Sequence, residues 1–251
     1  MTRSRPLLLA AALLGLAGFA PAPARAADDT AAEITATLTA LDTALSAKDE
    51  SNANAAIKKL PGLYKGTADK AVQASIAGKL GKAVKQKAVP GVRKNALDAL
   101  VETDDGPTAW SGLKGAYPDN DVEDAERFNV EIVKAIGALH PEGAVDQLLE
   151  TFRKAKQTDL AGQAALALGN YHKSKRRVEI LEELIKTGKL LKPGQSTTKS
   201  ISPEAQAKWT ALSAPLGKAL DTLTGQTIGD PIDWFKKYDE SKKNVKALFK
   251  D

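Results

Sequence analysis

Apolar residues recur at helical spacing along most of the chain. Ile132, Ile136 and Leu139, for example, are separated by four and three residues, which places them on one face of a helix. Ala, Leu, Lys and Glu are abundant, and runs of alternating β-branched residues, which are typical of strands, do not occur. The pattern predicts an all-α protein with helices at 31–47, 51–64, 68–87, 90–103, 107–117, 122–139, 142–156, 158–171, 175–191, 203–224 and 231–248.

Prolines mark where several of these helices begin. A proline in the first turn loses no hydrogen bond, because the amide groups there have no partner within the helix. Prolines of this kind are Pro90, Pro107, Pro141, Pro203 and Pro231. Ser202 and Asp230, each directly before a proline, are expected to cap the helices that follow. Pro61 and Pro215 fall inside or near the end of predicted helices, and we expect them to kink or end those helices.

Three segments of the chain are similar to one another. They are ALVETDDGPTAW from Ala99, AIGALHPEGAV from Ala135 and ALGNYHKSKRRV from Ala167, at offsets of 36 and 32 residues. In each, a helix rich in small residues ends, a polar turn follows and a second helix begins, which predicts stacked helical hairpins. Small residues that would allow close approach are Ala96, Ala99, Ala135, Ala138, Ala164, Ala165 and Ala167. Larger residues that would fill the space between hairpins are Leu97, Leu100, Ile132, Ile136, Leu139 and Leu168.

These segments resemble HEAT-like (armadillo-type) α-helical repeats, and the tail ALDTLTGQTIGDPIDWFKKY is similar to the closing segment of exported HEAT-like proteins of some bacteria. The resemblance rests on NALDALVETDD, VKAIGALHPEGAVDQLLETF and QAALALGNYHKSKRRVEILEEL, and it covers residues 67 to 190 well and residues 31 to 64 weakly. It implies a superhelical solenoid of stacked antiparallel helix pairs, which binds partners and has no conserved active site. Other helical-pair repeats fit the same pattern.

The first 26 residues have the parts of a secretory signal peptide. Arg3 and Arg5 precede an apolar run from Leu7 to Leu16, and Ala24-Arg25-Ala26 matches an A-x-A cleavage site. An uncleaved membrane anchor is the alternative, although the run is short for a bilayer span. These residues hold three arginines and no acidic residue, so cleavage lowers the net charge from +5 to +2 and weakens the case for nucleic-acid or membrane partners. We expect a soluble mature protein in the periplasm or outside the cell.

The chain divides into four parts: a signal peptide (1–26), HEAT-like helical repeats (27–191), a polar loop (192–201) and a C-terminal helical cap (202–251). The loop is interpreted as a connector, with a functional loop as the alternative. Gly225 is expected to end a helix in a left-handed conformation. The last helix has an apolar stripe of Ile232, Trp234, Phe235, Val245, Leu248 and Phe249. Its other face carries Lys236, Lys237, Lys242, Lys243 and Lys246, interpreted as the wet face of a terminal repeat, with an anionic-ligand patch as the alternative.

Candidate catalytic and metal chemistry is sparse. The absence of cysteine excludes disulfides, thiol catalysis and thiolate metal ligands. His140 and His172 occupy the same position in successive repeats, and a metal site would need both imidazoles about 2 Å from one ion, with Glu142 as the nearest third ligand. We interpret both histidines as turn residues. Neither a nucleophile elbow nor a phosphate-binding glycine motif occurs, and we predict no catalytic, cofactor or metal site.

Three other groups contain residue types that occur in catalytic or binding sites. The pairs Asp104-Asp105 and Glu182-Glu183 are interpreted as surface carboxylates. The acidic stretch from Asp119 to Glu126 lacks calcium-loop spacing and is interpreted as charge at a helix N-terminus. The three tryptophans have two interpretations, an aromatic platform that binds sugars and packing in the core. Their apolar neighbours favour core packing. The tryptophans are Trp110, Trp209 and Trp234.

The resemblance also implies a binding surface, because the second helix of each hairpin lines the concave face of HEAT-like stacks. The repeat offsets place candidate residues in two ladders, Asn95, Glu131 and Gln163 in one and Asp98 and Lys134 in the other, beside Arg127. Ordinary solvated helix residues are the alternative. We predict a non-catalytic scaffold or adaptor that binds a protein partner. A polysaccharide-binding or enzyme-accessory module of the cell envelope is the alternative, and an enzyme with an unrecognised site is a third.

Three structural features would separate these functions. Exposed aromatic residues on one face would favour the sugar-binding module, and a deep polar pocket with converging carboxylates would favour the enzyme. A continuous groove of mixed charge would favour the protein scaffold.

Overall fold

The protein is all-helical and has no strand in the residues that the computed structural model describes, 23–87, 89–118, 125–193 and 202–250. Most of the predicted signal peptide and residues 194–201 of the polar loop lie outside these ranges. Within them, every helix is too short or too polar to cross a lipid bilayer. The described α-helices are α1 Pro23–Ala47, α2 Glu50–Gly66, α3 Lys70–Val84, α4 Pro90–Glu102, α5 Gly106–Leu113, α6 Ala125–Leu139, α7 Val145–Lys154, α8 Thr158–Gly169, α9 Arg177–Leu191, α10 Pro203–Thr224 and α11 Pro231–Ser241.

The predicted capping residues set the ends of the C-terminal helices. The Ser202 hydroxyl accepts a hydrogen bond from the Ala205 amide, and Asp230 accepts one from the Ile232 amide at 2.7 Å. Gly225 ends α10 with a φ of +70°, as expected of a left-handed cap. These caps provide partners for backbone groups that a helix end leaves without one.

Pro61 and Pro215 were expected to kink or end their helices, and neither proline ends its helix. The α2 helix continues to Gly66 and α10 continues to Thr224, well beyond each proline. Tertiary contacts hold the turns that follow: Tyr64 is buried, and its carbonyl accepts a hydrogen bond from Gln73. Packing of α10 on α8 on both sides of Pro215 likewise compensates for the hydrogen bond that a proline cannot make.

Two predicted helices have 3₁₀ segments. The helix predicted at 142–156 starts with a 3₁₀ turn at Glu142–Ala144, and α7 follows it. The last helix was predicted to reach residue 248, but α11 ends at Ser241 and a 3₁₀ segment, Lys242–Leu248, follows. Asn244 lies in a non-helical conformation, with φ −149° and ψ 67°, so an α-helix cannot pass through it.

Contacts between helices follow a regular order along the chain. Consecutive helices pack as five pairs, from α1 with α2 to α9 with α10. Each even-numbered helix from α2 to α8 also contacts the next even-numbered helix. Among the odd-numbered helices, α1 contacts α3, α3 contacts α5, α7 contacts α9 and α9 contacts α11, while α5 contacts the 3₁₀ turn before α7. Each pair is therefore in contact with the pairs before and after it.

Small residues allow several of these helices to approach closely. A Cβ atom on Gly137 in α6 would lie 2.7 Å from the Cβ atom of Ala167 in α8, and one on Gly169 would lie 2.9 Å from Ala219 in α10. The predicted larger residues are buried between the helices, with Leu100, Ile132, Ile136 and Leu168 fully inaccessible. The larger residues thus have the packing role that their spacing predicted, as do the predicted alanines except Ala138, which is exposed.

Hydrogen bonds join the α6–α7 turn to the α8–α9 turn. The Asn170 side-chain amide donates to the Gly137 carbonyl at 2.8 Å, and the buried Tyr171 hydroxyl donates to the Pro141 carbonyl at 3.0 Å. The Ser174 hydroxyl donates to the Glu142 carboxylate at 2.8 Å. These contacts connect residues close to one repeat offset apart, so equivalent turns are neighbours in space.

Candidate binding face

The six predicted binding residues lie on α4, α6 and α8, and we call the surface that they define the ladder face. It consists of Asn95, Asp98, Arg127, Glu131, Lys134 and Gln163. The residues on α4, together with Arg127 and Lys134, are exposed, whereas Glu131 and Gln163 are half-buried. The repeat alanines next to them, Ala99, Ala135 and Ala167, are buried, because a residue or two along a helix turns the side chain to another face.

A first groove runs between α2 and α4. Asn95 and Asp98 line it from α4, and Asn54 and Lys58 line it from α2. Its volume is about 300 Å³. The Oδ1 atom of Asn54 is shielded from solvent and has no hydrogen-bond partner among the described residues. An unsatisfied acceptor of this kind is costly, and a donor from a bound molecule would satisfy it.

A second groove of about 340 Å³ runs between α4 and α6 and contains three of the predicted residues. These are Asp98, Glu131 and Lys134, with Lys94 and Glu102 beside them. Lys94 and Asp98 form an ion pair at 3.2 Å along α4. The remaining three charged groups form no hydrogen bond or ion pair with any described residue, so they are open to a partner. The groove carries both signs of charge over an apolar floor that includes Leu97 and Val101.

A third groove of about 520 Å³ lies between α6 and α8, where Arg127 and Glu131 face Asp159. Its apolar part is formed by Phe128 and Val130, which the sequence did not single out. The guanidinium of Arg93 makes a cation–π contact with the Phe128 ring, 3.9 Å from the ring centre. A rigid aromatic side chain between opposite charges is suited to hold an apolar side chain of a partner.

The buried Arg93 connects this groove to the core. It is 6% exposed, and its Nε donates a hydrogen bond to the Val84 carbonyl at 2.9 Å. It thereby links α3, α4 and α6 at the base of the ladder face. Repeat periodicity could not predict this role, because it depends on an aromatic residue 35 positions further along the chain.

The structure brings together only the second ladder, Asp98 and Lys134, whereas no two of Asn95, Glu131 and Gln163 line the same groove. Asn95 and Asp98 share one groove, Asp98, Glu131 and Lys134 share the next, and Arg127 and Glu131 share the third. Gln163 lines none of these three grooves, so the structure does not bring it together with the other candidates. It lies on α8, half-buried, because α8 packs closely against both α6 and α10.

Both histidines lie in the turns that they were predicted to occupy. The Nδ1 atom of each is hydrogen-bonded to the carbonyl two residues earlier, His140 with Ala138 at 3.1 Å and His172 with Asn170 at 3.2 Å. Glu142, considered as a third metal ligand, instead accepts the hydrogen bond from Ser174. The described residues hold no group of three or more side chains arranged to bind a metal ion.

Two of the three tryptophans belong to the core. Trp234 is fully buried and donates from Nε1 to Asp221 at 2.7 Å, while Trp209 is 9% exposed and packs against Phe235, with ring centres 6.2 Å apart. Trp110 is half-buried, and its indole lies next to Gly143. The packing interpretation is therefore confirmed for Trp209 and Trp234, which cannot form a sugar platform.

The carboxylate pairs have structural partners. Asp105 caps α5 through the Thr108 amide and accepts a hydrogen bond from the Tyr64 hydroxyl at 2.7 Å. Burial raises the pKa of Asp105, but the hydrogen bonds from Tyr64 and Thr108 outweigh it and leave that pKa below its ordinary value. Glu183 lies 3.7 Å from Arg153. The side chains of the acidic stretch from Asp119 to Glu126 lie outside the described residues.

Comparison of the chain with protein-family models, with curated proteins and with solved structures found no match. The assignment of function therefore rests on the geometry of the ladder face.

Proposed function

We propose that this protein is an exported, HEAT-like scaffold or adaptor that binds a protein partner along the ladder face. The observation that carries the proposal is the row of three grooves between successive even-numbered helices, each lined by charged or amide side chains. An elongated partner segment lying across these helices would meet all three grooves. Mixed charges would fix its orientation, and the apolar floors would supply most of the affinity.

The order in which the helices contact one another along the chain supports a solenoid of five stacked pairs with a C-terminal cap. A solenoid needs each pair to touch its neighbours in sequence, which is the order that these contacts follow. The even-numbered helices then form one continuous surface. Export to the periplasm or beyond is part of the proposal, and the tripartite N-terminus supports it.

Of the other functions, the polysaccharide-binding module is left with little support. Its aromatic platform required exposed tryptophans, and Trp209 and Trp234 are buried. In the described part of the chain, the three grooves lining the ladder face are open and each carries both signs of charge, whereas an enzyme was expected to have a deep polar pocket.

Site-specific photo-crosslinking tests the proposal. A photoreactive amino acid is placed at Asn95 or Lys134, which are exposed on the ladder face, and in matched variants at Glu150 or Lys186, which are exposed on α7 and α9. Irradiation in the native envelope fraction should give the same protein adduct from both ladder positions and none from the control positions. An adduct pattern that does not distinguish the two surfaces would contradict the proposal, as would a glycan adduct from the ladder positions.

A further inference from the structure

Two basic runs that are far apart in the sequence meet near the C-terminus. One is the turn between α8 and α9, residues 172–177, and the other is the 3₁₀ segment with the residues after it, 242–250. The guanidinium of Arg177 lies 4.7 Å from the centre of the Phe249 ring, which joins the two runs. Neither run contains an acidic residue. The sequence shows two short basic stretches, whereas the fold makes them neighbours.

The second run is fixed to the body of the protein. Leu248 is 2% exposed and Phe249 is 9% exposed, and the Leu248 carbonyl accepts a hydrogen bond from the Gln226 side chain. The Lys250 amide donates to the Thr224 carbonyl at 2.8 Å. The backbone that carries these lysines is therefore ordered before any ligand binds, which reduces the entropy lost on binding.

Five lysines of the two runs are exposed and form no ion pair with any residue that the structure describes. With Arg177 they define the basic patch: Lys173, Lys175, Lys243, Lys246 and Lys250. Several acidic groups near the two runs are bonded to other residues: Asp146 and Glu179 each lie 2.6 Å from Arg176, Asp239 pairs with Lys189 and Lys242, and Glu142 accepts a hydrogen bond from Ser174. None of these carboxylates forms an ion pair with the five lysines.

The composition of the patch indicates the chemistry of its ligand. Lysine ammonium groups are strongly hydrated point charges, whereas single bound phosphates are usually held by the planar fork of arginine. The five lysines lie on a turn and a short 3₁₀ segment, and none lines the grooves of the ladder face. Many dispersed ammonium groups suit a surface of many anionic groups, and clusters of about four to eight basic residues bind anionic membranes in this way. We propose that the basic patch binds the anionic phospholipid headgroups of a membrane surface, without insertion into the bilayer.

Vesicle sedimentation tests this proposal with the full chain. Binding to vesicles of phosphatidylcholine with about 30% phosphatidylglycerol is expected at low salt and should be lost at about 0.5 M NaCl, because salt screens exposed charges. Vesicles of phosphatidylcholine alone measure any binding by the apolar run from Leu7 to Leu16. The triple variant Lys243→Gln, Lys246→Gln and Lys250→Gln should bind the anionic vesicles about a hundredfold more weakly.

A double variant and a control make the result specific. Lys173→Gln with Lys175→Gln should weaken binding about thirtyfold, because the two runs act as one patch. Lys65→Gln, Lys82→Gln and Lys114→Gln remove the same charge as the triple variant from exposed positions elsewhere and should bind like the wild type. Equal losses in control and patch variants would overturn the proposal, as would equal binding to both kinds of vesicle. Tighter binding to duplex DNA than to anionic vesicles would overturn the membrane assignment.

Discussion

The Cβ position of Gly137 in α6 lies 2.7 Å from the Cβ atom of Ala167 in α8, closer than carbon atoms of two helices approach without displacement. The Asn170 side chain then donates to the carbonyl of the same glycine, at 2.8 Å. This contact holds two helices of the ladder face together, and it depends on the absence of a side chain at residue 137.

Substitution Gly137→Ala should therefore destabilise the protein. Helix propensity alone would favour alanine by about 1 kcal/mol, but the added methyl group must separate α6 from α8, and overpacking of this kind costs about 1–3 kcal/mol. The measurement is the free energy of unfolding in urea. Gly78→Ala is the matched control, because nothing lies within 4 Å of its Cβ position in α3, and it should stabilise by about 0.5–1 kcal/mol. A Gly137→Ala protein as stable as the wild type would show that α6 and α8 do not approach this closely.

The hydrogen bond between Tyr64 and Asp105 should make the free energy of unfolding depend on pH. The pKa of Asp105 is below its ordinary value of 3.8, so the folded carboxyl binds protons less readily than the unfolded one. The contribution of Asp105 to the free energy of unfolding is fully present above its ordinary pKa. It is lost as the pH falls through the lower pKa of the folded state. Asp105→Asn should cost about 1 kcal/mol at pH 7 and progressively less below about pH 4.

Tyr64→Phe is the companion variant, because it removes the same hydrogen bond and leaves the cap of α5 intact. Its cost should also shrink in acid. A cost for both variants that stays constant between pH 7 and pH 3 would mean that Asp105 is not stabilised as a carboxylate.

Helix positions were predictable because the signals for them are local. Ser202 with Pro203, and Asp230 with Pro231, mark helix starts within two residues, and the structure places α10 and α11 there. The extension of α2 from its predicted end at residue 64 to Gly66 had no local signal, and the Tyr64–Asp105 hydrogen bond beside it joins residues 41 positions apart. The end of α11 at Ser241 was missed for a different reason, since the conformation of Asn244 has no strong sequence signal.

The candidate site was predictable in outline from the repeat offsets. They identified the helices, and the exposure of Asn95, Asp98 and Lys134 follows from their position beside buried alanines. The offsets could not show that Gln163 lies apart from the grooves, because groove shape depends on how α8 packs between α6 and α10. The contact of Arg93 with Phe128 could not be predicted from the sequence either, since it joins side chains of different helices.

Removal of metal ions should leave the melting temperature unchanged. His140 and His172 are each hydrogen-bonded to a backbone carbonyl, and Glu142 is bonded to Ser174. Thermal unfolding with and without EDTA, followed by circular dichroism, checks this expectation. A fall of many degrees with EDTA would indicate a structural metal site, because metal binding contributes directly to folding free energy.

Export should be accompanied by cleavage after Ala26. The positive residues, the short apolar run and the A-x-A sequence motivate this prediction. Intact-mass measurement of protein recovered outside the cytoplasm should match a chain that starts at Ala27. Recovery of protein that retains Met1 would contradict it.

Reversal of charge on the ladder face should abolish binding of a protein partner there. Asp98→Lys with Glu131→Lys is compared with Glu150→Lys and Glu240→Lys, which change the net charge equally on α7 and α11. Asp98 and Glu150 are matched in local cost, because each loses one ion pair with a lysine four residues away, worth about 0.3–0.5 kcal/mol. Circular dichroism should show the same helical content in both.

The measurement is affinity capture of proteins from the native envelope fraction by the wild type and both variants. We expect the wild type and the α7–α11 variant to capture the same protein. The ladder-face variant should capture at least about tenfold less of it. Equal capture of every protein by all three, with the fold intact, would contradict a binding role for the ladder face.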